Sequence, residues 1–461
     1  MNSVVVPGSF RDPYGVVFRT ANGVVRQVNA SYREHYDRLI ASGLYAALVS
    51  AKLLVPHEEL PAAGPSPHVY KLIKPRHVDF ISYPYEWSFG QLKAAALTTL
   101  AIQARALDFG MSLRDASAYN IQFVEGRATL IDTLSFEIRN PGQPWVAYRQ
   151  FCEHFLASLA LMSLRDHQLS RLLAVHLDGI PLELAVTLLP FAARLRPTLL
   201  LHLYAHARSQ RRWKSRAAPD PVGATSFGDR AFRGLVDSLR RAVTNLEWRQ
   251  RARTWVTYYD DGASYSDEAL AHKRALVAQF LDRIRPKVVW DLGANTGAFS
   301  RLATERGCST IAFDRDPGCV EAMHAVVAAG AEPRLLPLVM DVTNPSPGLG
   351  WAHRERESLL TRAPADLVMA LALVHHLAIG NNVPLPLVVD FLADIGRFAI
   401  LEFVPRHDAQ ARRLLASRQH DFADYDEQHL DEALAAKFVT LERVSITGST
   451  RTLYLLQRRT P

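Results

Sequence analysis

Downstream of residue 266 the chain alternates short apolar runs with amphipathic stretches. The strand candidates are VVWDLG (288–293), TIAFD (310–314), LLPLVMD (335–341), DLVMALAL (366–373) and FAILEFV (398–404). Helical spacing fills most of the intervals and also precedes the first run, over 267–283. Two last runs, FVTLERVSI and RTLYLLQR, predict an antiparallel hairpin at one edge. Strands separated by helices require right-handed crossovers, so the pattern predicts a doubly wound, mostly parallel α/β sheet over 266–461. Ligands of such sheets bind beyond the carboxyl ends of the strands, where the winding reverses.

Upstream, GVVFRTANGVVRQV predicts a hairpin around Ala21-Asn22-Gly23, and QLKAAALTTLAIQARALDFG (91–110) a long helix. The apolar stretch 172–206 is interrupted by Asp178, Glu183, Arg194 and Arg196 and by Pro181, Pro190 and Pro197. No run of about 20 apolar residues survives, so buried helices are expected there and not a membrane span. The stretch 214–229, KSRAAPDPVGATSFGD, reads as a linker, and ELPAAGPSPH (59–68) as a shorter break. The expected division is 1–213, a basic connector over 214–265, and 266–461.

A chain of 461 residues with 48% apolar and 21% charged content can build more than one core, which excludes a disordered or fibrous chain. Three cysteines (Cys152, Cys308, Cys319) form no disulfide framework or Cys/His pattern, which implies a reducing, cytoplasmic setting. The first residues lack the basic start and apolar stretch of a secretory signal. The net charge of +7 is uneven: from Arg194 to Arg253, 14 Arg or Lys stand against 4 Asp or Glu, an excess of +10 that leaves −3 for the rest. A basic connector could contact nucleic acid or an anionic surface; solvated helix faces are the plainer reading.

The sharpest chemical feature is Asp291-Leu-Gly293-Ala294-Asn295-Thr-Gly297-Ala-Phe299, ending one strand and opening a helix. Gly293 permits a tight turn, Gly297 close packing of helix on strand, and the absent side chains let backbone N–H groups approach a ligand. Asp314 follows Asp291 by 23 residues, at the end of the next strand, where a carboxylate can accept from both ribose hydroxyls. Asp341 ends the third strand, placed to accept from an adenine amino group.

This trio resembles the class I S-adenosylmethionine-dependent methyltransferases, whose loop is D/E-x-G-x-x-x-G. The middle glycine that admits a dinucleotide pyrophosphate is missing. The resemblance covers 266–461 and implies a Rossmann-like methyltransferase sheet with an antiparallel edge hairpin. It also implies that S-adenosyl-L-methionine is the cofactor. By likeness Asp291, Gly293, Ala294, Asn295 and Gly297 belong to the loop that contacts the methionine part. Asp314 would hold the ribose, Asp341 and Val342 the adenine, and Ala370 would line the cavity. More narrowly, ALALVHHLAIGNNVPL (370–385) and LEFVPRHDAQARRLLASR (401–418) resemble the NoeA-type host-specific nodulation proteins.

Methyl transfer from a sulfonium chiefly needs alignment, with a general base only when the acceptor carries a proton. His375 and His376, just past the fourth strand, are the candidates; a helix-start pair with one ring packed inward and one solvated is the plainer alternative. Two adjacent histidines without further ligands predict no metal site. No Asn/Asp-Pro-Pro-aromatic tetrad follows the fourth strand and no Pro-Cys pair is present, which lowers the prospect of a nucleic-acid acceptor. A small molecule or glycan is favoured over protein. Tyr258, Tyr259 and Tyr265 stand before the first helix, as a lid or as packing, with Ser266 or Asp267 as its cap.

In the N-terminal half, Leu113-Arg114-Asp115-Ala-Ser-Ala-Tyr-Asn120 has the Asp-x-x-x-x-Asn spacing of a kinase catalytic loop, and Leu130-Ile131-Asp132 follows. The half therefore resembles an α+β protein-kinase-like domain, with 10–58 as a reduced small lobe and VDFISYPYEWSF (78–89) as strand and hinge. Leu113 replaces the usual His, no glycine-rich phosphate loop is present, and Asp132 is followed by Thr-Leu. Arg26 stands nearest to the strand lysine, with Glu34 as its potential partner. These departures favour a catalytically silent, substrate-presenting or scaffolding module that assists acceptor binding; the plainer alternative is that Asp115 and Asn120 simply brace a loop. The expected whole is a methyltransferase; the alternative is an ATP-dependent phosphotransferase with a nucleotide-sensing C-terminal domain.

Overall fold

The computed structural model describes residues 4–61, 68–214, 228–248, 265–416, 418–419 and 422–460. The chain divides into two compact units, 1–249 with 348–356, and 250–347 with 357–461. Tyr258 and Tyr259, and nearly all of the expected linker 214–229, lie outside the described residues.

The first unit opens with an antiparallel sheet in the order β1-β2-β3-β5-β4. Its strands are β1 (Val4–Val5), β2 (Gly15–Thr20), β3 (Gly23–Asn29), β4 (His57–Leu60) and β5 (Val69–Pro75). The expected hairpin is present: β2 and β3 pair from Gly15↔Val28 to Thr20↔Gly23, and Gly23 takes the φ of +107° that favours glycine. Val28, Tyr32, Tyr36, Ile73 and Leu134 form a core beneath it. The helix Phe89–Asp108 starts with a reciprocal cap, the Ser88 hydroxyl accepting from Gln91 N–H at 3.3 Å and the Gln91 side chain from Ser88 N–H at 2.9 Å. Preceding it, 78–88 forms no strand, contrary to expectation; Pro84 begins a 3-10 turn, and Gln122 pins Ser82 by accepting its N–H at 2.9 Å.

Two small hairpins follow, β6 (Met111–Leu113) with β9 (Phe136–Ile138) and β7 (Ile121–Val124) with β8 (Arg127–Leu130). Short helices and two π-helical turns complete the unit. The helix Asp229–Thr244, inside the stretch predicted to be a connector, packs in this unit because Phe232, Val236, Leu239 and Val243 share a buried face. Lys93 caps its end, donating to the carbonyls of Thr244 (2.9 Å) and Leu246 (2.8 Å). The segment 348–356 also belongs here, its Glu355 ion-paired to Arg11 at 2.5 Å.

The second unit is a seven-stranded sheet in the order β12-β11-β10-β13-β14-β16-β15. Its strands are β10 (Val288–Leu292), β11 (Ser309–Asp314), β12 (Leu335–Val339), β13 (Ala365–Ala370), β14 (Gly396–Phe403), β15 (Phe438–Ser445) and β16 (Thr452–Arg458). β10 to β14 are parallel and β16 runs antiparallel between β14 and β15, so the expected doubly wound, Rossmann-like sheet and edge hairpin are both present. The chain starts at the centre, winds out through β11 to β12, then returns to β13 and β14. Winding therefore reverses between β10 and β13, and the loops beyond their carboxyl ends border a crevice. The helix Asp267–Ile284 begins at Ser266, whose hydroxyl accepts from Ala269 N–H at 3.2 Å, as its sequence predicts.

Candidate functional site

At the end of β10 the chain turns through Gly293 (φ +72°), Asn295 (φ +51°) and Gly297 (φ +82°), all left-handed. Gly293 and Ala294 donate their N–H groups to Phe313 O at 2.9 Å, which ties the loop to β11. A Cβ on Gly297 would stand 2.8 Å from Met323 Sδ, so a side chain here would have to displace Met323 as well as adopt the left-handed backbone.

Asp314 ends β11 beside this loop. Its Oδ2 accepts from Asn295 N–H at 2.7 Å and its Oδ1 from Asp316 N–H at 2.8 Å. Burial pushes its carboxyl up to about 6, against those two hydrogen bonds. Past β12, Asp341 Oδ1 accepts from Thr343 N–H at 2.9 Å and from its hydroxyl at 2.6 Å. Gly293, Asn295, Asp314, Asp341, Val342 and His376 line one cavity of about 350 Å³, a size suited to a nucleoside-type ligand.

Other expected residues stand behind this wall. Asp291 is buried, accepts from the Ser300 hydroxyl at 2.6 Å and is pushed up to about 6 by burial. Ala294 packs into a core cluster with Ala312, Val320 and Met323. Ala370 does not line the cavity: β13 ends on it with its side chain in the core, and the chain turns at Ala372 (φ +50°) so that Leu371, Ala372 and Leu373 face the space. His375 does not reach it either. Its ring is 0% exposed, neither nitrogen has a hydrogen-bond partner, and burial holds its pKa well below the usual value. His376 is the member of the pair on the wall, its ring 4.2 Å from that of His375 and its pKa lowered by burial and by Arg315.

Sequence reasoning missed a buried charge cluster in the same unit. Lys273 Nζ pairs with Glu402 Oε2 at 2.7 Å and donates to the Tyr265 hydroxyl at 2.9 Å. Arg451 pairs with Glu402 at 3.5 Å and with Asp408 at 2.9 Å. Tyr265 is therefore a packing residue of this cluster, and Lys273 Nζ lies 4.5 Å from the ring of Phe299, at the end of the glycine loop. The available signals were a lysine on the buried face Ala269, Lys273, Val277, Phe280 and a glutamate inside the apolar run LEFV.

In the first unit β6, β7 and β8 bring Asp115, Asn120 and Asp132 together. Asp115 accepts from Ser117 N–H at 2.9 Å and from the Asn120 side chain, and burial followed by the Asp132 charge raises its pKa. Asp132 pairs with Arg26 at 2.6 Å and accepts from Leu134 N–H (2.8 Å) and the Ser135 hydroxyl (2.9 Å). The expected Arg26–Glu34 pair does not form; Glu34 is exposed, and Asp12 is the second partner of Arg26 at 2.5 Å. Among the described residues no cluster of three or more His, Cys, Asp or Glu is arranged to hold a metal ion.

The chain matches no protein-family model. Over less than half its length it is similar to solved structures that include the following three. The bifunctional kinase-methyltransferase WbdD is 19% identical over 44% of this chain and 42% of that one, with a TM-score of 0.30. The N-methyltransferase NodS from Bradyrhizobium japonicum WM9 is 12% identical over 42% and 99%, with a TM-score of 0.32. The magnesium protoporphyrin IX methyltransferase from Synechocystis PCC 6803 is 14% identical over 42% and 85%, with a TM-score of 0.31. In sequence the chain is 36% identical to the nodulation protein NoeA of Rhizobium meliloti (strain 1021) over 462 residues, 98% of this chain and 96% of that protein. Such identity over both full lengths carries the narrower resemblance of 370–385 and 401–418 to the whole chain, which belongs to the family of the nodulation protein NoeA.

Proposed function

We propose that the second unit is an S-adenosyl-L-methionine-dependent methyltransferase domain acting on a small molecule or glycan. The observation that carries this reading is Asp314 on the wall of the cavity shared with Gly293, Asp341 and Val342. Backbone N–H groups orient both its oxygens, and each oxygen keeps a second lone pair. Two acceptors held this way fit the vicinal hydroxyls of a ribose. The bare Gly293 fits a close approach by the amino-acid end of the cofactor, since a Cβ there would already touch Leu373 at 3.4 Å. Asp341 and Val342 form the part of the wall suited to adenine.

The bound cofactor supplies an electrophilic methyl group on a sulfonium that leaves neutral. The chain's own contribution is to hold the acceptor in line and exclude water. His376 faces the cavity, and its lowered pKa keeps the imidazole neutral near pH 7, the form able to accept a proton from a hydroxyl or ammonium acceptor.

The first unit, in this reading, is kinase-like in arrangement and silent in phosphotransfer, and serves acceptor binding. Asp132, the residue that would hold magnesium, is instead occupied by Arg26, Leu134 and Ser135.

Isothermal titration of S-adenosylhomocysteine into the wild type and Asp314→Ala tests the site. A loss of at least tenfold in affinity is expected; equal affinity refutes the assignment. Incubating labelled S-adenosylmethionine with fractionated cell extract then identifies the acceptor class.

A further inference from the structure

The apolar stretch 172–206 is buried at Leu173, Ile180, Leu182, Leu189, Leu199 and Leu203, as its sequence suggests, but part of it faces outward. Phe191 and Leu195 are each 73% exposed, Leu201 55% and Leu200 47%. Single exposed apolar residues are ordinary, whereas a contiguous group is not. The four lie on neighbouring elements, because the 3-10 turn Phe191–Leu195 packs on the helical turns Pro197–Leu199 and Leu200–Ala205. The Arg194 guanidinium bridges them, 5.6 Å from the Phe191 ring and 5.3 Å from the Tyr204 ring.

The rim of this patch is cationic. Arg194 and Arg196 are exposed, and neither is paired with a carboxylate among the described residues. The acids nearest in sequence are engaged elsewhere, Asp178 with Arg11 at 3.1 Å and Glu183 with Arg211 at 4.0 Å. The patch also opens the stretch in which Arg and Lys outnumber Asp and Glu by 14 to 4. Protruding apolar side chains flanked by uncompensated arginines match the boundary layer of an anionic bilayer, where acyl chains take the apolar groups and headgroups the cations. A nucleic acid would engage the arginines and leave Phe191 and the leucines in water. Among the described residues no helix is long and apolar enough to cross a membrane, so contact would be confined to the surface.

We propose that the first unit docks on an anionic lipid surface through Phe191, Leu195, Leu200 and Leu201, with Arg194 and Arg196 at the rim.

Co-sedimentation of the full chain with vesicles tests this. Vesicles of phosphatidylcholine mixed with phosphatidylserine should carry the protein down, and vesicles of phosphatidylcholine alone should not. Two double variants, Arg194→Glu with Arg196→Glu and Phe191→Ser with Leu195→Ser, should each weaken binding about tenfold or more. All four positions are exposed, so the melting temperature should fall only slightly, by the loss of the Arg194 contacts with the Phe191 and Tyr204 rings. Absence of sedimentation with the anionic vesicles, or equal sedimentation of the variants, overturns the proposal. So does a wild-type dimer in velocity sedimentation that the Phe191→Ser/Leu195→Ser variant dissolves, because a second copy of the chain would then cover the patch. Capture by an acidic polypeptide with no binding to anionic vesicles overturns it equally.

Discussion

Replacing Lys273 by Met removes one of two cations from a buried four-charge cluster and should destabilise the second unit by about 3–5 kcal/mol. In the wild type Lys273 and Arg451 balance Glu402 and Asp408, and the side chains of Lys273, Glu402 and Arg451 are all 0% exposed. Burial raises the cost of the Glu402 charge, yet Lys273 and Arg451 hold its pKa below the usual value. Met preserves most of the lysine stem, so packing changes little and the cost is electrostatic. After the substitution Glu402 keeps only Arg451 at 3.5 Å and the Tyr265 hydroxyl, while Arg451 is already engaged by Asp408 at 2.9 Å. One buried anion is then uncompensated. Adding Glu402→Gln restores neutrality and leaves the Arg451–Asp408 pair intact, so the double variant should recover about 2 kcal/mol of the loss. Urea titration of the full chain, followed by tryptophan fluorescence, reads both midpoints. A single-variant cost under about 1 kcal/mol, the size of an exposed ion pair, would refute the reasoning. Strictly additive losses in the double variant would refute it too.

The affinity for S-adenosylhomocysteine should rise with pH through about 6 and level off above, because Asp314, raised to about 6 by burial, accepts ribose hydroxyls fully only when ionised. Asp314→Asn should bind weakly with no such step in titration calorimetry. For the free protein the sign reverses: folding raises this carboxyl above its unfolded value, so its contribution to stability falls as pH rises from the ordinary carboxylate range to about 6. Gly297→Ala should cost about 1–3 kcal/mol in denaturation, from its left-handed φ and the approach of the new methyl to Met323. His375→Leu should unfold at no lower denaturant concentration and keep cofactor affinity, since it replaces a buried ring whose two nitrogens lack partners. Loss of methyl transfer in a folded His375→Leu protein would restore that residue to the chemistry. His376→Ala should lower kcat about 100-fold with unchanged S-adenosylhomocysteine affinity, read by initial rates and calorimetry.

Much of the second unit was legible because its signals are local. Strands such as β10 and β13 are apolar runs bounded by turns, and helices between parallel strands leave one winding hand available. Gly293 and Gly297 were legible because left-handed backbone and close approach admit few other residues. Asp314 and Asp341 were placed by following their strands to their ends. The His375–His376 pair was legible only as a pair, since adjacent helical residues point about 100° apart and packing alone selects which one meets the cavity. Ala370 failed as a wall residue because the turn beyond β13 depends on a left-handed Ala372, which has no sequence signature.

The sequence by itself determined the alternation of elements, the sheet, the glycine turn and the strand-end acids, all of which follow from steric and apolar patterns a few residues long. Tertiary structure alone decided the pairing of Lys273 with Glu402, of Arg26 with Asp132, the docking of the helix Asp229–Thr244, and the exposure of Phe191 and Leu195. Those outcomes join residues far apart in the chain or depend on which neighbours remain to cover a side chain. Periodicity says which residues share a face of one element, and only the packed molecule says what that face meets.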